Sequence, residues 1–235
     1  MLNNNVIAAI ITLFAALAWL RINDFAAHRG WIRSQVSRKI IHMGTGPIFV
    51  LCWLLFTDAP NARYLAALVP LLITVQFALV GLGVLKDDAA VQAMSRTGNP
   101  REILRGPLFY GLVFVVVTVF YWKDSPIGIV ALMLMCGGDG LADIVGRRWG
   151  TQKLPWAKDK SWIGSLGMLA GGWLFSIAIV YVFIIAGEFP GPLSAYILPL
   201  SVIALADALV ESIPIRDIDN ITVTATAIAL GHWLL

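Results

Sequence analysis

The chain is a succession of apolar runs, most of them long enough, or nearly so, to cross a bilayer. Spans are expected at about 5–20, 40–57, 64–84, 107–122, 126–146, 162–186, 193–210 and 221–235, the last being the shortest. A crossing helix needs roughly 20 apolar residues, because the hydrocarbon core is about 30 Å thick. Lipid offers no partner for backbone N–H and C=O groups, so such runs must satisfy them internally as helices. With 59% hydrophobic and 13% charged residues among 235, a soluble globular domain is excluded. The expected fold is all-α: a polytopic transmembrane bundle of seven to eight spans, with 1–235 as a single domain. Pro47, Pro70 and Pro199 fall inside spans, where a bundle tolerates kinks. The N-terminal run has no basic leader or small-x-small cleavage site and reads as a retained span. Cys52 and Cys136 sit in apolar segments without a second ligand nearby in sequence, and read as packed thiols.

Charge tests the span assignment. The cations fall in alternate loops: Arg21, Arg29, Arg33, Arg38 and Lys39; Lys86, Arg96, Arg101 and Arg105; Arg147, Arg148, Lys153, Lys158 and Lys160; and Arg216. Only Arg63 and Lys123 of the 17 Lys and Arg lie in the opposite loops. The positive-inside rule makes the basic side cytoplasmic and puts both termini outside. In a bacterial source the expected location is the plasma or inner membrane. One-sided basic loops are explained by topology and anionic headgroups, so membrane lipids are expected partners and nucleic acid is not. Small-residue faces permit a homodimer.

The acids need a different explanation, since a carboxylate in a span is costly. Asp139 and Asp143 are four apart and share a helix face, which Arg147 continues. Asp207 and Glu211 repeat the spacing, and Asp219 and Asn220 follow within a short loop. Asp143, Asp207 and Glu211 are expected within about a turn, roughly 5 Å, of the cytoplasmic end, and Asp139 about two turns in. All are expected to reach one cytosolic cavity. Oxygen donors of this kind suit Mg²⁺, which takes carboxylates, water and substrate phosphates. Two other readings stand beside it: structural pairing with Arg147, Arg148 or Lys160, and an ion or proton path through a transporter. Gly138, Ala142 and Gly146, and Gly164, Gly167, Gly171 and Gly172, fit close helix packing. Gly140 and Gly164 are the better candidates for backbone approach to a phosphate. Neither a phosphate-binding GxxxxGK[ST] loop nor a protein-kinase catalytic loop occurs, and no Ser–His–Asp order or thiol–imidazole pair is indicated. His42 shares a face with Arg38 near the basic surface and reads as an interfacial hydrogen-bonding residue; His28 and His232 look incidental.

These residues form a pattern. Cys136–Ser165 resembles the core motif of the polyprenol kinase family, which includes phytol, farnesol and dolichol kinases and is related to phosphatidate cytidylyltransferases. The matching pieces are GDGLAD at Gly138–Asp143, GRRWG at Gly146–Gly150 and KSWIGS at Lys160–Ser165. Ser37–Gly46 looks like the family's upstream RKxxH element, and Glu211–Val223 like its C-terminal ExxP…DN element. Phytol-kinase-like members are most similar in length and wording. The cytidylyltransferases carry a longer KDxG…HGG…DR block where this chain has IRDIDNITV, which favours a kinase.

The resemblance implies phosphoryl transfer from CTP or UTP to a long-chain lipid alcohol such as phytol. Alternatives are a CTP-dependent diacylglycerol kinase, a phosphatidate cytidylyltransferase making CDP-diacylglycerol and, more distantly, a transporter. On the kinase reading, Asp139 and Asp143 hold Mg²⁺ against the nucleoside triphosphate, with Asp207, Glu211 or Asp219 completing the set. Lys160, Arg147 and Lys153 neutralise the phosphates, and Arg38 and Lys39 close the other side. Gly140, Ser161, Gly164 and Asn220 belong to the expected nucleotide site. Asp139, Asp143 and Lys160 form the expected catalytic group, with Asp143 taking the alcohol proton.

Overall fold

The computed structural model describes the chain except for residues 1–3, 33, 96 and 215–217, and gives the backbone alone at 24, 28, 34, 35, 38 and 93. The basic-side residues Arg33, Arg96 and Arg216, and the Arg38 side chain, therefore lie outside the described residues. Among the described residues the chain is helical almost throughout: α1 (Asn5–His28), α2 (Ser34–Cys52), α3 (Ala62–Gly81), α4 (Asp88–Met94), α5 (Gly106–Phe120), α6 (Pro126–Met133), α7 (Asp139–Trp149), α8 (Trp162–Ile185), α9 (Ser194–Glu211) and α10 (Asp219–Leu234). A small antiparallel hairpin, β1 (Lys153–Leu154) and β2 (Ala157–Ser161), interrupts this pattern between α7 and α8.

Among the described residues, six helical stretches are long and apolar enough to cross a membrane: Asn5–Ala27, Ala62–Gly81, Pro100–Phe120, Pro126–Trp149, Trp162–Ile185 and Ser194–Glu211. Lys39–Leu55 is a shorter apolar stretch, and α10 has 16 residues. Large apolar side chains such as Phe14, Leu72, Phe120, Ile185 and Leu198 stand exposed around the outside. In water such a surface would aggregate; in lipid it is the expected exterior. The protein is a membrane-embedded all-α bundle.

Local sequence explains the element boundaries. Asn4 caps α1 by accepting from the N–H groups of Val6 and Ile7. Pro126 starts α6 where no N–H is needed. Ser161 caps α8 by accepting from Gly164 N–H. Gly187, at φ 81°, ends α8: its N–H and that of Glu188 return to the carbonyls of Ile184 and Phe183. Pro47, Pro70 and Pro199 all lie within helices.

Several expectations are corrected. Arg21 belongs to α1, which continues to His28, and Arg38 and Lys39 belong to α2. Asp219 and Asn220 form the first turn of α10 rather than a loop, because the helix starts as soon as the chain leaves Ile218. The long fifth span is one rod from α6 to α7, broken by a π-helical turn at Leu134–Gly138. This rod is the bundle's centre: Ile129–Cys136 are essentially inaccessible. Its Gly137 carbonyl packs so closely on α8 that a side chain at Gly171 would collide with it. Small residues thus let α7 and α8 approach at backbone distance.

Candidate active site

The π turn sits immediately before Asp139, so one extra residue per turn sets the direction in which α7 presents its acids. Asp139, Asp143 and Arg147 then follow at four-residue spacing along one face. Lys39 of α2 donates to Asp139 Oδ2 at 3.0 Å and lies 4.0 Å from Asp143 Oδ2. His42, one turn along α2, places Nε2 3.2 Å from the same Asp139 oxygen and 3.4 Å from the Met135 carbonyl. Tyr110 of α5 holds His42 in turn: its hydroxyl donates to the His42 carbonyl at 2.9 Å, and the rings lie 4.3 Å apart. Arg147 Nε donates to Asp143 Oδ1 at 2.7 Å.

The hairpin supplies the opposite wall. Trp156 Nε1 donates to Ser212 Oγ at 3.2 Å, which docks the hairpin on the end of α9. Lys160 on β2 donates to Glu211 Oε1 at 2.6 Å and also to the Glu211 carbonyl. Between these walls lies a polar cavity of about 640 Å³. Asp139, Asp143, Glu211, Asp219, Lys39, Arg147, Lys153 and Lys160 all line it, as do Ser161 and Gly164. Beside it an apolar cavity of about 250 Å³ descends between α1, α2, α3 and α5. Lys39, Arg105, Asp139 and Asp219 line both cavities, so the two meet at this group.

Most of the expected site residues therefore converge, and three stand apart. Asp207 is fully enclosed, lines neither cavity and has no hydrogen-bond partner for either carboxylate oxygen among the described residues. It falls on the inward stripe of α9 with Leu200, Ile203 and Ala204, whereas Glu211 continues that stripe where the cavity opens. Gly140 packs against Met43, so its missing side chain makes room for α2 and not for a phosphate. Asn220 lines only the apolar cavity and donates from Nδ2 to the Gly106 carbonyl at 3.2 Å, tying α10 to α5. The Gly164 N–H is engaged by Ser161 Oγ at 3.2 Å in the α8 cap.

Sequence reading missed the partnership of His42 with Asp139, and Arg105 and Asp159 as cavity residues. The signal for Arg105 was its place directly before the Gly106–Pro107 start of α5, at the basic surface. Among the described residues, no three His, Cys, Asp or Glu side chains gather into a ready-made metal cage. The donor set still fits Mg²⁺ in its usual mode, with one or two carboxylates plus substrate phosphates. Five carboxylates, Asp139, Asp143, Asp159, Glu211 and Asp219, line the polar cavity beside cations suited to phosphate.

No protein-family model matches the chain, and no solved structure does. Curated relatives match nearly all of it. It is 42% identical over 229 residues to probable phytol kinase 1, chloroplastic, of Oryza sativa subsp. japonica, covering 97% of this chain and 73% of the relative. It is 43% identical over 234 residues to farnesol kinase, chloroplastic, of Arabidopsis thaliana, covering 99% and 76%. Phytol kinase 1, chloroplastic, of Arabidopsis thaliana is 36% identical over 227 residues, covering 96% and 75%. The chain belongs to the phytol and farnesol kinase family, enzymes that phosphorylate an alcohol.

Proposed function

We propose that this protein transfers the terminal phosphoryl group of CTP or UTP to an isoprenoid alcohol dissolved in the membrane. The observation that carries the reading is the meeting of the two cavities at Lys39, Arg105, Asp139 and Asp219. An apolar tail in one cavity and a triphosphate in the other bring hydroxyl and phosphorus together at that group. The names of the relatives supply the alcohol class, farnesol and phytol. The choice of CTP or UTP rests on the motif resemblance. The basic end would face the nucleotide-containing compartment, as the one-sided cations favour.

Phosphoryl transfer asks a protein for alignment and charge neutralisation more than for covalent chemistry. The alcohol oxygen attacks the terminal phosphorus while the bond from that phosphorus to its bridging oxygen breaks. The nucleoside diphosphate leaves with the bonding electrons. Lys160, Lys153 and Arg147 face the phosphates from the polar cavity. Lys39 and His42 hold Asp139 in a fixed orientation. The hydroxyl proton goes to Asp219, which faces both cavities, and from there to solvent in the polar cavity. Asp143 is less suited to that task, because it lines the polar cavity alone and Arg147 holds it. Asp139 and Asp143 are the residues that would hold Mg²⁺ arriving with the nucleotide, and the ion would neutralise phosphate charge.

The test is product analysis by mass spectrometry. Purified protein is incubated with CTP, Mg²⁺, farnesol, phytol, diacylglycerol and phosphatidate together. The expected products are CDP and an isoprenoid monophosphate. Pyrophosphate with CDP-diacylglycerol would replace the reading with cytidylyl transfer. CDP with phosphatidate bearing the acyl chains of the added diacylglycerol, chosen to differ from those of the added phosphatidate, would keep the chemistry and change the acceptor.

A further inference from the structure

The apolar cavity has a defined depth. On α2 its lining runs from Lys39 at the mouth through His42 and Thr45 to Phe49. That interval is about 15 Å of helix at 1.5 Å per residue. On α5 it runs from Gly106 to Phe114, about 12 Å by the same rise. Phe49 and Phe114 are both buried, and their rings meet edge-on with centroids 5.6 Å apart. Beneath them lies Trp53, wholly inaccessible, with its ring centroid 5.9 Å from Phe49 and 4.9 Å from Trp122. The floor is therefore a closed aromatic layer with a second layer behind it. Such a layer yields only by rearranging close-packed rings.

An extended carbon chain advances about 1.3 Å per bond, given single bonds of roughly 1.5 Å. On that rise the main chain of a three-unit isoprenoid alcohol spans about 14 Å, and that of a four-unit alcohol about 19 Å. We infer that Phe49 and Phe114 are the specificity-determining residues for alcohol length, and that the cavity they close favours three isoprene units over four. This deepens the proposed function and rests on the apolar cavity being the alcohol site. The hydroxyl stays at Asp139 and Asp219 while the tail is measured against the aromatic floor. A fourth unit has to leave the cavity sideways into lipid and contributes no burial there.

The experiment compares kcat/KM for geraniol, farnesol and phytol, alcohols of two, three and four units. Wild type is expected to prefer farnesol to phytol. Phe49→Ala and Phe114→Ala deepen the cavity and should raise the phytol-to-farnesol ratio about tenfold, as pocket volume discriminates between homologues. Thr45→Phe fills the cavity one turn above the floor and should shift preference about tenfold toward geraniol. Phe114→Leu keeps most of the buried volume and should move the ratio in the same direction as the alanine variants, should those fail to purify folded. Ratios within twofold of wild type in the folded variants, or a wild type that prefers phytol, would overturn the length assignment and leave the kinase reading intact. A wild type that phosphorylates diacylglycerol and none of the three alcohols would overturn both.

Discussion

At one end of the bundle Lys39, Arg147 and Lys160 pair with Asp139, Asp143 and Glu211 around a polar cavity. At the other end Lys123 donates to Asp58 and Glu188, each at 2.8 Å, and is only 6% exposed. The residue types are the same, but the surroundings differ. Trp122, at φ 36°, turns the chain after α5 and packs on Trp53 and Phe56, so Lys123 is driven inward. Gly187 turns the chain after α8 and brings Glu188 to meet it. These turns bury Lys123 and Glu188 together, with Asp58 reaching the lysine from the exposed surface. At the site end the pairs come from α2, α7, β2 and α9, and they ring a space that a phosphate-bearing ligand can enter. Paired charges around a cavity can exchange partners for a ligand. A charge pair buried behind aromatic rings, as Lys123 and Glu188 are, holds helices together.

Asp139→Asn should break the first kind of pairing with the largest effect. The change keeps the shape but removes the charge that Lys39 and His42 address. We expect kcat/KM to fall about 1,000-fold, comparable to the loss of a transition-state charge contact, with the thermal unfolding midpoint within a few degrees of wild type. Near-wild-type turnover would remove Asp139 from the catalytic group. Lys123→Met tests the second kind. Removing one partner of a buried pair costs about 3 kcal/mol, so thermal unfolding in detergent should move down markedly. The folded fraction should keep wild-type kcat/KM. Lost activity at unchanged stability would show that the far cluster is coupled to the site.

The fold was legible because hydropathy and helix length are set by the same bilayer. Spans expected at 64–84, 162–186 and 193–210 agree with α3, α8 and α9 to within three residues. The extension of α1 to His28 was hidden, since its last turns carry polar residues that read as loop. The π turn left no signal, because Leu134–Gly138 is as apolar as the rod around it. The hairpin was also hidden: its two strands are too short for an alternating pattern, and its docking depends on Trp156 finding Ser212. In the site, four-residue spacing revealed which acids share α7. It could not show that Asp207 turns inward while Glu211 meets Lys160. The apolar cavity was invisible, because four helices distant in sequence build it.

Lys160→Ala is a smaller perturbation of the cavity end. It frees Glu211 and deletes one cation facing the phosphates. The KM for nucleotide should rise about 10- to 30-fold, as for a charge-assisted contact to phosphate, with the KM for alcohol little changed. Unaltered nucleotide kinetics would assign Lys160 to docking the hairpin on α9.

The smallest effect belongs to pH and sharpens the contrast at the closed end. Burial alone would push the Lys123 ammonium down, but the hydrogen bonds and charges of Asp58 and Glu188 outweigh it and hold the lysine above its ordinary value. A raised lysine contributes stability that is fully present below its unfolded value, about 10.4, and lost as pH rises through the folded value. Unfolding midpoints of wild type and Lys123→Met, measured from pH 8 upward, should therefore differ most at the lower end. The gap should narrow above about pH 10.4, where the unfolded chain's lysine gives up its proton, and the charge contribution is lost once the native lysine follows at its higher value. A gap that stays constant through that range would mean that Lys123 acts through the packing of its alkyl chain and not through its charge.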